Sequence, residues 1–378
     1  MKKLFLIIPA FILLFWACTK TVEPLDSFQS FDRKGMLTSL ANSVIVPSFD
    51  GFYTETITLE TAVNAFANDP TSSTKLLEAQ KAWTKMASVW KLASVFQQGP
   101  IADKFLLTNI DFSNKGTNIN TSLLEKAITD GTAATINNDY IEQKGATVKG
   151  IFAIEYLIFD KNPALTVVTD KFIKTEGSTK RVTYLKALAT NLKIQAKLIS
   201  DDWKGPYGSK FINADGRDIN SSLGVLANTI IDQIYTIRDE RIGVPRGNRN
   251  NGTPQPDLAQ AVLSGNSIDL IISELKSIEN AFLGRTPAGI DGIGIDNLLD
   301  KLEAKSDGVL LSTKIKSQFA TVYAKLAAIP TKLPVAVVSN QTEVAAAYTE
   351  IKKLQVMLEI DMINNLGVLL TFSDNDGD

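Results

Sequence analysis

Residues 182–203 read VTYLKALATNLKIQAKLISDDW, a stretch whose apolar residues recur at alternating steps of three and four. These residues are Val182, Leu185, Ala189, Leu192, Ala196, Ile199 and Trp203. Because an α-helix has about 3.6 residues per turn, this spacing places all of them on one face. The stretch is therefore predicted to be an amphipathic helix that buries this face against other helices.

The same spacing recurs along most of the chain. It is found at residues 76–93, 223–237, 268–282 and 344–358. No run of alternating apolar and polar residues is long enough to require a sheet. The sequence therefore predicts an all-α protein.

The length and the turn-forming residues predict two domains. A chain of 378 residues is long enough for two, at roughly 100–200 residues each. The stretch 205–220 is rich in Gly, Asn and Asp and separates two strongly periodic segments. We therefore predict an N-terminal helical bundle at 31–204, a linker at 205–220 and a C-terminal helical bundle at 221–378. Pro47 lies within a predicted helix and is expected to kink it.

Composition excludes several classes of chemistry. The chain has 39 basic and 41 acidic residues, and this balance gives no electrostatic footprint for nucleic acid. It contains no histidine, which excludes a Ser-His-Asp triad and a zinc protease of the HExxH type. Its one cysteine, Cys18, excludes an intrachain disulfide and a zinc site made of cysteines.

The N-terminus has the features of an export signal. Lys2 and Lys3 precede an uncharged apolar run at 4–17, which has the length of a signal-peptide core. The run ends at Ala17-Cys18, which resembles a bacterial lipobox. We therefore predict a signal peptide at 1–17, a lipidated Cys18 and a polar tether over 18–30. The alternative is a structural cysteine in an uncleaved anchor helix. Thr19 favours an outer-membrane lipoprotein that faces the periplasm, with the membrane as a partner through the lipid anchor.

One predicted helix carries a single charge among apolar residues. Residues 149–160 read KGIFAIEYLIFD, and Glu155 is the only charged residue between Ile151 and Phe159. A carboxylate in such surroundings must be paired, hydrogen-bonded or protonated, because its desolvation is costly. Glu155 is therefore either a structural residue with a basic or backbone partner, or part of a functional site.

This helix resembles the signature of the imelysin-like proteins, GxHxIEYLLF. Residues 150–159 match it from Gly150 onward, except that Phe152 stands at the position of the histidine and Ile158 at that of the second leucine. Further blocks resemble the family in the same order along the chain. They are Val44 to Pro47, the tryptophan-rich segment from Trp83 to Gly99-Pro100, Glu240 to Gly243, Ser264 to Ser267, and Ile278 to Gly284.

The resemblance implies two four-helix-bundle-like domains with a functional cleft between them, in an exported protein linked to iron acquisition. It also implies a site formed by the His and Glu of the signature, which share one helix face at i and i+3. Here Phe152 has no lone pair, and Ser94 stands where many relatives have a Glu. Glu155 remains as the one candidate metal ligand, and a single carboxylate is a weak site for a metal. Iron is thus a cofactor only by resemblance.

Three functions follow from these features. The first is a non-catalytic accessory module that binds a small ligand, such as iron or haem, or an envelope protein. The second is a divergent metal-dependent hydrolase in which Glu155 acts as base or ligand. The third is a structural envelope lipoprotein. No catalytic residue is assigned. The missing histidine favours a protein that is not an enzyme, and the hydrolase stays open as an alternative.

Overall fold

The computed structural model describes residues 27–112 and 119–371. The predicted signal peptide, Cys18 and most of the tether lie outside the described residues, and so does the acidic C-terminus. Within the described ranges the chain is helical, apart from one short hairpin. The prediction of an all-α fold is confirmed. No helix in these ranges is both long enough and apolar enough to span a bilayer.

The helices of the first half include the long α3, α4 and α11. The helices are α1 (Ser27–Ser30), α2 (Arg33–Ser39), α3 (Val46–Asn68), α4 (Ser73–Leu92), α5 (Pro100–Asp103), α6 (Leu106–Ile110), α7 (Thr121–Asp130), α8 (Asn138–Glu142), α9 (Ile151–Ile158), α10 (Leu165–Ile173) and α11 (Ser178–Lys204). A π-helical segment, Leu40–Ile45, joins α2 to α3, and a 3₁₀ turn, Ala146–Val148, precedes α9.

The second half continues in the same style. Its helices are α12 (Pro206–Asn213), α13 (Ser222–Tyr235), α14 (Val244–Arg246), α15 (Ser267–Leu283), α16 (Ile295–Lys301), α17 (Leu311–Ala327), α18 (Leu333–Ser339), α19 (Gln341–Val356) and α20 (Ile363–Leu366). Two π-helical segments, Thr236–Gly243 and Met357–Met362, and a 3₁₀ turn, Pro256–Leu258, complete it. Strands β1 (Lys305–Ser306) and β2 (Val309–Leu310) pair antiparallel, with Lys305 opposite Leu310.

The predicted apolar faces form the core. Helix α3 packs between α4 and α11, while α17 packs on α19. Helix α15 packs on α4 and so joins the two halves of the chain. Along the stretch 182–203 every residue of the predicted face is buried except the half-buried Val182. The helical periodicity of the sequence therefore identified the interior correctly.

The disturbance predicted at Pro47 takes the form of a π-helical segment. Pro47 is the second residue of α3, which follows Leu40–Ile45 directly. Proline lacks an N–H group and its ring crowds the carbonyl one turn earlier, so a change of helix type is a natural accommodation. The same arrangement recurs in the second half, where Thr236–Gly243 is π-helical and Pro245 follows.

The predicted linker is more ordered than its turn-forming residues suggest. Its first part is α12, which packs on the end of α11 through edge contacts of Trp203 with Tyr207 and Phe211. The ring centroids lie 4.8 and 5.4 Å apart. Aromatic burial thus stabilises a helix where composition indicated turns. The domain boundaries themselves stay a prediction.

Candidate functional site

Gly150 starts the signature helix α9 in a conformation that other residues avoid. Its φ is +79° and its ψ is −164°, a region that is essentially restricted to glycine. A Cβ atom here would lie 2.4 Å from the carbonyl oxygen of Ile110 and 2.6 Å from that of Asn109. The glycine of the signature therefore allows α9 to begin directly against the C-terminal end of α6.

Phe152, at the histidine position of the signature, is a core residue. Its ring packs edge-on against Trp83 of α4, with centroids 6.1 Å apart. The Trp83 indole Nε1 donates a hydrogen bond to the carbonyl oxygen of Ile151 at 2.8 Å, and the same ring contacts Phe159. Phe152 thus helps to fix the tryptophan-rich helix against α9.

Glu155 is buried and is held by the backbone of a distant loop. Only 4% of the residue is exposed. Its Oε1 atom accepts a hydrogen bond from the Ser264 backbone N–H at 2.8 Å. Burial raises the pKa of Glu155 to about 7, although hydrogen bonds from Ser264 and from the Leu263 backbone oppose that rise. Two blocks of the sequence, 150–159 and 264–267, therefore meet at this carboxyl group.

The candidate metal site is not assembled in the described ranges. They contain no group of three or more Cys, His, Asp or Glu side chains placed to hold a metal ion. Ser94 is buried at the end of α4, where its hydroxyl donates to the Lys91 carbonyl oxygen at 2.7 Å. The Glu155 carboxyl group accepts hydrogen bonds from Ser264 and from the Leu263 backbone, and the Ser94 hydroxyl donates to a backbone carbonyl group. Neither arrangement resembles a prepared cation site.

A cleft opens beside the loop that binds Glu155. Its volume is about 410 Å³, and residues of both halves of the chain line it. Gln80 and residues 159–165 contribute from the first half, and Leu263, Ser264 and Lys332 contribute from the second. Glu155 does not line the cleft, but its partner Ser264 does. A concave site of this size suits a small organic molecule.

Apart from the cleft, four buried charged residues connect the two halves of the chain: Lys91, Asp111, Arg241 and Glu274. The Lys91 Nζ atom lies 2.7 Å from an Asp111 oxygen and 2.6 Å from a Glu274 oxygen. Arg241 Nε lies 3.1 Å from the same Glu274 oxygen. All four residues are at most 2% exposed. Since two cations face two anions, the buried charges balance.

The pKa of Asp111 shows which interaction dominates within this group. Burial alone would raise that pKa, but the positive charges of Lys91 and Arg241 and hydrogen bonds from Lys91 and Trp90 hold it below its usual value. Asp111 is therefore charged at neutral pH. This group of four residues was not predicted from the sequence, although Arg241 lies within the block 240–243. A lysine beside an apolar stripe usually extends to solvent, so Lys91 gave no signal.

These observations define a class of protein: an all-α protein whose signature helix and a distant loop meet at a buried acid beside a cleft. The sequence profile of the Imelysin family matches residues 45–358, and the chain belongs to that family. The prediction made from residues 150–159 is confirmed.

Two solved structures share this fold. An imelysin-like protein from Psychrobacter arcticum 273-4 matches with a TM-score of 0.72 and 16% identity, over 90% of this chain and 97% of that one. A structure described as an iron-regulated protein A precursor from Parabacteroides distasonis ATCC 8503 matches with a TM-score of 0.70 and 14% identity, over 92% of this chain and 97% of that one. No curated protein sequence matches.

Proposed function

We propose that this protein is a lipid-anchored envelope protein that binds a small ligand in its cleft without converting it, as an accessory to iron or haem acquisition. The observation that carries the proposal is the hydrogen bonding of Glu155, the acid of the signature helix. Glu155 serves as an acceptor for the Ser264 backbone N–H, and that residue forms part of the cleft wall. In this proposal the signature helix holds part of the cleft wall in place and does not present a reactive group to the cleft.

The proposed association with iron comes from the family and from one structural relative. The Parabacteroides distasonis protein carries the description iron-regulated. The proposed anchor and outer-membrane location come from the apolar run at 4–17 and Cys18. A partner protein in the envelope is part of the same proposal, because an accessory protein must pass its ligand on.

A second candidate is a hydrolase that uses Glu155. A carboxyl group with a pKa of about 7 is well matched to general acid–base chemistry near neutral pH. The residue lies directly behind the cleft wall. Against this candidate, a base must come within hydrogen-bond reach of its substrate, and only 4% of Glu155 is exposed. Loss of a measurable peptidase activity in Glu155→Gln would favour the hydrolase.

The binding proposal can be tested by filling the cleft. Ala164 lines it, and Ala164→Trp adds a large ring there, whereas the exposed Ala133 lies elsewhere and gives a matched control. The full chain is purified in detergent from its native envelope and analysed by native mass spectrometry and by elemental analysis for iron. We expect a bound small molecule in the wild type and in Ala133→Trp that is lost in Ala164→Trp. A ligand-free wild type would favour a structural lipoprotein.

A further inference from the structure

The cleft has an extensive apolar wall. Its apolar lining residues include Phe159, Leu165, Val168, Leu263, Pro334 and Val335. Phe159 is held in place by Trp83, with ring centroids 5.2 Å apart. Such a wall favours a ligand with an apolar body, because burial of apolar surface contributes about 25 cal/mol per Å².

Most charges around the cleft already have partners. Asp257 lies 2.7 Å from the Lys161 ammonium group, and Asp160 lies 2.6 Å from that of Lys171. The pKa of Asp160 is held below its usual value by its hydrogen bonds from the Lys171 side chain and the Asn162 backbone, so this acid is charged. Both lining acids are thus neutralised within the protein. A ligand would not have to supply a cation for either of them.

Lys332 is the exception among the charged lining residues. It is exposed and precedes α18. Within the described ranges no acidic side chain forms an ion pair with it. Its side chain crosses Gly265, where a Cβ atom would lie 2.5 Å from Nζ. Gly265 has a φ of +74° and follows Ser264 in the wall. The loop that binds Glu155 therefore leaves room for the ammonium group of Lys332 at the cleft.

We propose that the cleft takes an organic ligand with an apolar body and an anionic head group, a carboxylate or a phosphate, which Lys332 binds. This inference rests on the proposed binding function and specifies its ligand class. An uncomplexed metal cation does not fit, because Lys332 would repel it and the two lining acids are paired. Iron could enter this cleft only inside an anionic organic complex.

Four probes with one aromatic body separate the head groups. They are 2-naphthoate, 2-naphthyl phosphate, 2-naphthylmethanol and 2-naphthylmethylammonium, each titrated calorimetrically into the full chain in detergent. Ala164→Trp, with its cleft filled, gives the blank for partition into detergent. A charge-assisted hydrogen bond should make at least one anion bind about 10-fold more tightly than the alcohol, with the cation weakest. The anion that binds with the higher affinity identifies the head group.

Variants of Lys332 assign the effect. Lys332→Met should reduce the affinity for the anion to that for the alcohol, Lys332→Arg should largely retain it, and Lys352→Met on the exposed side of α19 should leave it unchanged. Equal affinity for anion and alcohol, no binding of either anion, or an unaffected Lys332→Met would overturn the inference. If only the alcohol bound, the inference about the head group would be wrong, but the proposed binding function would not be affected. That function is tested separately, by the ligand that co-purifies with the protein.

Discussion

Replacement of Glu155 by Gln should remove a pH dependence of stability that is unusual for a glutamate. Burial raises the pKa of Glu155 from 4.5 to about 7 in the folded protein. The native state therefore holds this proton more tightly than the unfolded chain does. The stabilising contribution is complete below pH 4.5 and is lost as the pH rises through 7. At about 1.4 kcal/mol per pKa unit, the total loss is about 3 kcal/mol.

The composition makes this effect measurable. The chain has no histidine, so few other side chains titrate between pH 5 and pH 8. Asp296 also has a raised pKa because of its burial, but its contribution is common to the wild type and to Glu155→Gln and cancels. The free energy of unfolding is measured in urea at intervals from pH 5 to pH 8. Over this range the value for Glu155→Gln should rise by about 2–3 kcal/mol relative to that of the wild type.

The control is Glu176→Gln, which alters an exposed glutamate. Its stability relative to the wild type should stay constant over the same pH range. Extrapolated free energies of unfolding are resolved to about 1 kcal/mol. If the difference in free energy of unfolding between Glu155→Gln and the wild type stayed constant within that limit from pH 5 to pH 8, Glu155 would have to be solvated in the native state. The argument for a desolvated signature acid would then be wrong.

Three further variants test other parts of the structure. Lys91→Met should lower the free energy of unfolding in urea by about 3–5 kcal/mol, because it leaves two buried carboxylates with one cation. The control Lys81→Met removes an exposed ion pair and should lower the free energy of unfolding by less than about 1 kcal/mol. Gly150→Ala should cost clearly more than Gly177→Ala in thermal unfolding, because both glycines start helices with positive φ but only Gly150 faces backbone carbonyls; equal costs would refute the packing argument. Cys18→Ala should move the protein from the detergent phase to the aqueous phase, and unchanged partition would exclude the lipid anchor.

The arrangement of the candidate site could be predicted only in part. The apolar surroundings of Glu155 required a buried carboxyl group with a hydrogen-bond partner, and the structure has one. The sequence could not identify that partner, because Ser264 lies 109 residues further along the chain. The absence of the His–Glu pair is a fact of the sequence itself, because Phe152 stands at the histidine position. The cleft and the position of Lys332 in its lining carried no sequence pattern, since the lining residues come from separate segments.

The sequence by itself determined the long amphipathic helices and their buried faces, and its ordered blocks determined the membership of the imelysin family. The helices and their faces depend on neighbours three or four residues apart, and a linear pattern records such spacing directly. Only the tertiary structure decided that Lys91 meets Glu274 and that Trp203 holds α12 in a stretch rich in turn formers. A buried charge or a short helix takes its stability from whichever distant segment packs against it, and that choice is made by the whole fold.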